Sequence, residues 1–205
     1  MRHDANIILA SGSRARRDML AASGIAFTVE LASVDEEAVR AALFDSDEPG
    51  AVDPADVAEI LAAAKAESVS RLHPDAFVIG GDQVLAFEGA TLSKPRDVMA
   101  ARQQLSSFRG KTHALHSAVA LTRGGEMVWS MVDTAEMHVR DFSDAFLDDY
   151  MRRAGRSVLD SVGAYLMEGL GIQLFDRIDG DYFTVLGMPL MPLLAELRAR
   201  KIILS

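Results

Sequence analysis

The sequence contains no cysteine among its 205 residues. This absence excludes disulfide scaffolds, thiolate metal sites and cysteine nucleophiles. Any metal ion must therefore bind to oxygen or histidine ligands. The lack of cysteine also agrees with a reducing compartment such as the cytoplasm.

The sequence also lacks a long apolar segment and an excess of basic residues. No apolar run reaches the roughly 18 residues that a membrane-spanning helix needs. Residues 1–4 lead into a strand-like segment without the apolar core of a signal peptide. We therefore expect a cytoplasmic protein without a membrane partner. The formal net charge of −9 argues against nucleic acid as a partner, because nonspecific binding requires a basic face.

Several motifs of common enzyme classes are absent. The sequence has no G-x-x-x-x-G-K-[ST] phosphate loop and no G-x-S-x-G nucleophile elbow, and its turn at 11–13 is too short for a dinucleotide-binding fingerprint. Asp82 lacks a second aspartate two residues later, which weakens an aspartyl-phosphate phosphatase hypothesis. His113 and His116 are three residues apart in a strand-like segment, so they point to opposite faces and cannot share a metal ion.

Helix caps and apolar runs predict a single domain over residues 1–205, of α/β class with a mixed sheet. Counting the N-cap residues Asp53 and Asp97, helices are predicted at 14–23, 53–72, 97–107, 144–153 and 189–200. Strands are predicted at 6–10, 25–31, 76–87, 112–122 and 127–140. The glycines at 124–125 predict a hairpin between the last two strands, and residues 45–53 are predicted to form a loop.

The first candidate site is the Ser-Gly-Ser turn at 11–13, which precedes a predicted helix. Free backbone N–H groups and the positive end of the helix dipole favour an anion such as phosphate there, and Arg16 or Arg17 can add bidentate hydrogen bonds. The alternative is a serine cap followed by solvated arginines. Arginines at 14, 16 and 17 oppose the helix dipole, so an external anion explains them better than helix stability does.

The second candidate is Asp82, which interrupts an apolar strand directly after Gly80 and Gly81. A buried carboxylate must be paired, hydrogen-bonded or metal-bound, because burying a bare charge costs several kcal/mol, on the order of magnitude. The two glycines would let the backbone approach a ligand closely. The alternative is a structural aspartate that accepts backbone hydrogen bonds.

Three further charged residues are candidates, although each is also compatible with a solvated surface residue. Lys65 lies on the alanine-rich helix, and Lys94 precedes Pro95, which fixes the direction of the lysine side chain. Glu36 lies in an acidic run and is a candidate ligand for a hard cation.

Taken in order, these segments resemble the Maf (septum-formation) family over nearly the whole chain. The matching segments are 9–13 (LASGS), Arg16 and Arg17, 34–36 (VDE), 65–66 (KA), 81–84 (GDQV), 94–95 (KP), 163–165 (GAY), 168–169 (EG) and 187–190 (GMPL). Each segment is weak alone, but their order and separations make the resemblance strong. The resemblance implies an α/β fold similar to that of inosine triphosphate pyrophosphatases, with an elongated mixed sheet flanked by helices, two lobes around a nucleotide-binding cleft, and a homodimer.

The resemblance also implies an activity and the residues for it. The activity is metal-dependent, house-cleaning hydrolysis of a nucleoside triphosphate to the monophosphate and pyrophosphate. Asp82 resembles the proton acceptor that activates water. The residues that resemble triphosphate contacts are Ser11, Arg16, Lys65 and Lys94. Glu36, together with Asp82, resembles a site for Mg²⁺ or Mn²⁺, which prefer oxygen ligands.

Three positions bear on the choice of base. Gln83 and Glu168 match the subfamily that acts on 7-methyl-GTP, whereas the dTTP and UTP enzymes typically carry threonine and glutamine there. Ala15 departs from both subfamilies, because one has arginine and the other a large aromatic residue, and Arg14 replaces a frequent proline. The alternatives are a dTTP/UTP pyrophosphatase of the same family and a nucleotide-binding regulator of septum formation without turnover. Asp82 would be dispensable only in the regulator.

Overall fold

The computed structural model describes residues 6–44 and 52–204. Most of the loop predicted at 45–53 therefore lies outside the described residues, as do residues 1–5. Residue 205 also lies outside this range.

The described chain alternates between helices and strands. The helices are α1 (Arg14–Ala22), α2 (Glu36–Phe44), α3 (Pro54–Ser70), α4 (Val98–Phe108), α5 (Asp144–Ala154), α6 (Tyr182–Val185) and α7 (Leu190–Ala199), with short 3-10 helices at Gly155–Leu159 and Leu170–Leu174. The strands are β1 (Ile7–Ala10), β2 (Thr28–Val29), β3 (Phe77–Phe87), β4 (Ala90–Leu92), β5 (Thr112–Arg123), β6 (Glu126–Val139) and β7 (Phe175–Asp179).

The strands form one seven-stranded sheet with the order β2-β1-β3-β5-β6-β7, and β4 pairs with β3 outside this order. Strand β1 is parallel to β2 and to β3, whereas β3 with β4 and β6 with β7 are antiparallel. The α/β class with a mixed sheet flanked by helices is therefore confirmed.

The chain divides into two compact units. The first comprises Met1–Gln83, His116–Asp133 and Tyr182–Ser205, and the second comprises Val84–Leu115 and Thr134–Asp181. The first unit has an apolar core in which α1 and α7 pack on the sheet through residues such as Leu20, Ile79, Leu121 and Leu193, all fully buried. The second unit buries its own set, which includes Leu105, Phe108, Leu147, Tyr165 and Leu174.

Local sequence signals explain where several helices begin. Ser13, Asp53, Asp97 and Ser143 each accept a hydrogen bond from a backbone N–H in the first turn of α1, α3, α4 and α5. These side chains satisfy N–H groups that have no partner within the helix. The predicted positions of these helices are confirmed to within one or two residues.

The short elements β4, β7 and α6 were not predicted from the sequence, and two further segments differ from the prediction. The strand predicted at 25–31 is reduced to the two residues of β2, which is an exposed edge strand. Helix α2 was not predicted, because its acidic first turn is typical of a charged surface run; none of its residues 36–43 is fully buried. Asp35 caps this helix by accepting a hydrogen bond from the N–H of Ala38 at 3.0 Å.

Within residues 6–44 and 52–204, none of the helices has both the length and the apolar composition required to cross a membrane.

Candidate active site

The candidate site in the first unit begins where β1 ends beside β3. Ala10, the last residue of β1, pairs in parallel register with Gly80 of β3. Ser11 therefore follows the end of one strand at the level where Gly81 and Asp82 continue the next one. Helix α1 begins three residues later, so the turn, the start of a helix and the carboxylate of β3 occupy one region of this unit.

Arg16 turns inward from the first turn of α1. Its Nε donates to the carbonyl oxygen of Gly187 at 2.7 Å, and its Nη1 donates to Oγ of Ser11 at 3.3 Å. Burial lowers the pKa of the Arg16 guanidinium, and the negative charges of Asp82 and Glu36 partly offset this effect. The structure thus brings Ser11 and Arg16, both predicted as site residues, into direct contact.

The neighbouring arginines do not share this environment. Arg14 and Arg17 both lie within ion-pair distance of Asp18, at 3.3 and 3.6 Å, and their side chains are 86% and 51% exposed. For these two arginines the structure matches the alternative of solvated side chains, and an external anion at this turn stays a prediction. Asp18 lies on the same helix and compensates their charge locally.

Asp82 is only 5% exposed although it carries a carboxylate. Its Oδ1 accepts a hydrogen bond from Nζ of Lys65 at 2.7 Å, and the same Nζ lies 2.8 Å from Oε1 of Glu36. The prediction that a buried carboxylate must be paired is confirmed for Asp82. Lys65 on α3 and Glu36 on α2 meet at this aspartate, so three residues from separate elements form one charged cluster.

Arg40 is a fourth member of this cluster that the sequence did not indicate. Its Nη2 lies 3.6 Å from Oδ2 of Asp82. That distance exceeds hydrogen-bond range, and Oδ2 has no hydrogen-bond partner among the described residues although it is fully buried. Arg40 follows Glu36 by four residues, so both side chains leave the same face of α2. If α2 had been predicted from the sequence, the spacing of four residues would have placed Arg40 beside Glu36.

The two glycines before Asp82 have packing roles. A Cβ atom at Gly80 would lie 2.1 Å from the backbone oxygen of Ala62 on α3, and one at Gly81 would lie 3.1 Å from the side chain of Arg16. These contacts give each glycine a structural reason, and the close approach of a ligand stays a prediction. Gly80 allows α3 to approach the sheet, and Gly81 makes room for Arg16.

Gln83 has a fixed orientation. Its Nε2 donates to the carbonyl oxygens of Thr184 and Val185 at 3.2 and 3.0 Å, and to Oγ of Ser117 at 2.9 Å. Ser117 in turn donates to the carbonyl oxygen of Thr184 at 2.7 Å. Because carbonyl oxygens only accept hydrogen bonds, the amide cannot be flipped without losing these bonds. The oxygen Oε1 of Gln83 has no hydrogen-bond partner among the described residues and is left as an acceptor.

The cluster fits a divalent cation. The ammonium of Lys65 lies within 2.8 Å of oxygens from both Glu36 and Asp82. Both carboxylates therefore converge on one positive atom, as they would on a metal ion, and Oδ2 of Asp82 is a further buried acceptor. Two carboxylates supplemented by substrate phosphates are a usual arrangement for Mg²⁺.

The remaining predicted site residues are more exposed. Ala15 is half-buried on α1 in the first unit. Lys94 and Glu168 belong to the second unit, where both are exposed, and neither side chain has a hydrogen bond or ion pair within the residues that the structure describes. Pro95 is buried, so the loop that carries Lys94 is anchored directly after the lysine.

The second unit also contains a group of possible metal ligands that the sequence did not indicate. Ligand atoms of Glu136, His138 and Asp179 lie within 4.8 Å of one another. Arg177, however, donates to Asp179 and lies 3.2 Å from Nε2 of His138. The guanidinium of Arg177 thus already compensates the negative charge of Asp179 beside His138. This arrangement favours a surface ion-pair network over a metal site.

Comparison with known proteins gives matches along nearly the whole chain. The model of the family described as Maf-like protein matches residues 6–200. A 7-methyl-GTP pyrophosphatase from Brucella suis is 51% identical over 96% of this chain and 97% of its own length. A nucleoside triphosphate pyrophosphatase from Maricaulis maris is 48% identical over 93% of this chain and 94% of its own length. A solved nucleoside-triphosphatase / dITP/XTP pyrophosphatase from Mycobacterium abscessus aligns over 96% of this chain and 95% of its own, with 16% identity and a TM-score of 0.40.

Proposed function

The chain belongs to the Maf family and is a nucleoside triphosphate pyrophosphatase, and on this premise we propose that its substrate is 7-methyl-GTP. The products would be 7-methyl-GMP and pyrophosphate. Two observations support the substrate: relatives near 50% identity carry this name, and Gln83 presents a fixed hydrogen-bond acceptor. A dTTP/UTP pyrophosphatase of the same family is the alternative, so the base is the point to be tested.

Hydrolysis between the α and β phosphates requires a water molecule to attack the α-phosphorus while pyrophosphate leaves. We assign the proton of that water to Oδ2 of Asp82, because this oxygen is buried and lacks a hydrogen-bond partner in the described structure. Without substrate, Lys65 donates a hydrogen bond to the other carboxylate oxygen, Oδ1. A carboxylate positioned in this way contributes about 10²–10⁴-fold as a general base.

Glu36 and Asp82 would hold Mg²⁺ or Mn²⁺, which when bound neutralises charge on the phosphates. The positively charged side chains of the site would also neutralise charge on the phosphates. Arg16, Lys65 and Lys94 would bind the triphosphate, together with the hydroxyl of Ser11, and stabilise the charge that develops on the departing pyrophosphate. Arginine is suited to this task, because its planar fork donates two parallel hydrogen bonds to a phosphate.

Guanine recognition is proposed for Glu168 and Gln83. The free carboxylate of Glu168 can accept hydrogen bonds from N1–H and the exocyclic amino group of guanine, whereas it would repel the O2 or O4 atoms of a pyrimidine. Ala15 supplies no aromatic ring to stack on the positively charged methylated base, an interaction worth about 1–2 kcal/mol. We therefore propose a broader tolerance for unmethylated guanine than an aromatic residue would give.

A substrate panel tests this proposal. Purified protein with Mg²⁺ or Mn²⁺ would be incubated with 7-methyl-GTP, GTP, dTTP, UTP and inosine triphosphate, and the products separated by anion exchange. We expect monophosphate and pyrophosphate, a requirement for added metal, and the highest kcat/KM with 7-methyl-GTP. Release of orthophosphate as the initial product would contradict the reaction, and much faster hydrolysis of dTTP and UTP would contradict the substrate alone.

A further inference from the structure

The charged cluster around Asp82 carries no net negative charge. Glu36 and Asp82 carry two negative charges, Lys65 and Arg40 carry two positive charges at 2.7 to 3.6 Å from them, and the buried guanidinium of Arg16 is close enough for both carboxylates to act on its pKa. A divalent cation that approaches this cluster alone therefore meets no net attraction. It would also meet the ammonium of Lys65 on one oxygen of each carboxylate and the guanidinium of Arg40 beside Oδ2 of Asp82.

Lys65 and Arg40 lie beside different oxygens of the Asp82 carboxylate. Nζ of Lys65 lies between the carboxylates of Glu36 and Asp82, the two residues that would hold a metal ion. Arg40 lies beside the other oxygen of Asp82, the one without a hydrogen bond. At 3.6 Å the guanidinium is close enough to repel a metal ion at this oxygen, but too far to satisfy it by a hydrogen bond.

We propose that Arg40 is a further substrate-binding residue of this site, and that together with Lys65 it excludes a bare divalent cation until a triphosphate arrives. The phosphates take over the guanidinium and the ammonium as hydrogen-bond donors, and the two carboxylates become available to the cation that accompanies the nucleotide. This inference rests on the proposed function only in naming a triphosphate as the displacing ligand.

The local structure permits this exchange. Arg40 and Glu36 are one helical turn apart on α2, so a shift of this helix moves both side chains together. None of the residues at 36–43 is fully buried, and elements with few buried apolar contacts open at low free-energy cost. The guanidinium of Arg40 is 26% exposed and suits a phosphate better than a single carboxylate oxygen at 3.6 Å.

Direct binding of Mn²⁺ without nucleotide tests the exclusion. The electron paramagnetic resonance signal of free Mn²⁺ would be titrated with wild-type protein and with the variants Arg40→Gln and Lys65→Gln. We expect each variant to bind Mn²⁺ about tenfold more tightly than the wild type, because one repelling charge is removed near the carboxylates. Arg71→Gln is the matched control, since Arg71 lies in the same unit, is 66% exposed and forms an ion pair with Glu67 on its own helix turn, away from Asp82 in the sequence.

Unchanged or weaker Mn²⁺ binding by both variants, relative to wild type and to Arg71→Gln, would overturn the proposal. It would show that the cations support the carboxylates and do not compete with a metal ion. Circular dichroism verifies that each variant is folded, and Lys65→Gln serves as the test if Arg40→Gln fails to fold. This result does not depend on turnover, so it stands even if no triphosphate in the panel is hydrolysed.

Arg40→Lys separates charge from hydrogen-bond geometry. We expect this variant to exclude Mn²⁺ as the wild type does, since the positive charge is kept. We also expect its KM for the preferred nucleotide to rise about tenfold at nearly constant kcat, because an ammonium cannot reproduce the bidentate contact. A lysine variant with wild-type KM would contradict a phosphate contact by Arg40, and one that binds Mn²⁺ as Arg40→Gln does would contradict charge as the cause.

Discussion

Each unit of the molecule buries polar side chains in the middle of apolar surroundings, but the two sets differ in charge. In the first unit, Asp82 is 5% exposed and ionised groups surround it. In the second unit, His113 is 2% exposed and its Nε2 forms a hydrogen bond with the hydroxyl of Tyr165 at 2.7 Å. The ring of His113 stacks on Phe108 with a centroid distance of 4.5 Å.

Burial acts on the two sets in different ways. In the second unit it lowers the pKa of His113 to about 3 and raises the pKa of Tyr165, so both side chains are neutral at pH 7. Neutral groups need only one or two hydrogen bonds to be tolerated in a core. Charged groups are tolerated only with compensating charges, and the first unit supplies these at Asp82. One buried polar atom of each set, Oδ2 of Asp82 and Nδ1 of His113, has no hydrogen-bond partner among the described residues, so the charge is what distinguishes the two sets. We infer that the first set serves chemistry and the second serves stability.

Asp82→Asn is expected to have the largest effect among the substitutions that test the difference between the charged set and the neutral set. We expect kcat to fall by about a hundredfold or more, because the amide cannot accept a proton from water. KM should change little, since Ser11, Arg16 and Lys65 remain in place. Steady-state kinetics on the protein, with thermal unfolding to correct for the folded fraction, measure this loss. Near-native turnover would remove Asp82 from the mechanism and with it the contrast between the units.

The acid stability of the protein should depend on His113. Its folded-state pKa of about 3 lies below the ordinary value of 6.5, so between these values the unfolded chain binds a proton that the folded chain does not. The contribution of His113 to stability is therefore complete above pH 6.5 and is lost as the pH falls towards 3. From pH 7 to pH 5 the loss amounts to about 2 kcal/mol.

Urea unfolding of the wild type and of His113→Gln at pH 7 and at pH 5 measures the contribution of His113 to the free energy of unfolding. Glutamine does not titrate and can still contact the hydroxyl of Tyr165. The free energy of unfolding of the variant should therefore depend less on pH than that of the wild type. An equal pH dependence in both proteins would mean that His113 is not held neutral by burial.

Tyr165→Phe is expected to reduce stability without reducing turnover. The substitution leaves Nε2 of His113 buried without its partner, at a cost of about 1–3 kcal/mol. The turnover of the folded protein should remain within about twofold of wild type, on the scale that an uninvolved residue shows. Chemical unfolding and kcat measured on the same preparation distinguish a loss of stability from a loss of turnover. A large loss of turnover in stable protein would place this network in the reaction.

Glu168→Gln gives the smallest expected change, a shift in the choice of substrate. An amide can donate a hydrogen bond to a pyrimidine carbonyl, which a carboxylate cannot, so the ratio of kcat/KM for UTP to that for 7-methyl-GTP should rise about tenfold. Glu136→Gln, a surface carboxylate of the same unit, is the control. An unchanged ratio in Glu168→Gln would leave the base selection to other residues.

Local signals explain what could be predicted about the fold. Ser13, Asp53 and Asp97 each cap a helix within a few residues of chain, and the glycines at 124–125 join two long strands. The buried pairing of Asp82 was also predictable, because a carboxylate in an apolar strand needs a partner. The resemblance carried by separated segments correctly indicated the family. The roles of the site residues, the metal ion, the homodimer and the cytoplasmic location stay predictions.

The α/β class, most helix starts and the residue types of the site could be predicted without coordinates, because these depend on neighbours in the chain or on the cost of burying a charge. The partners of those residues became known from the three-dimensional packing. Lys65 is bound to both Glu36 and Asp82, and Arg16 alone among its neighbours turns inward to Gly187. Arg40 joins the cluster because α2 lies beside Asp82 of β3, an element distant in sequence. Such contacts depend on long-range packing, which short-range sequence patterns do not encode.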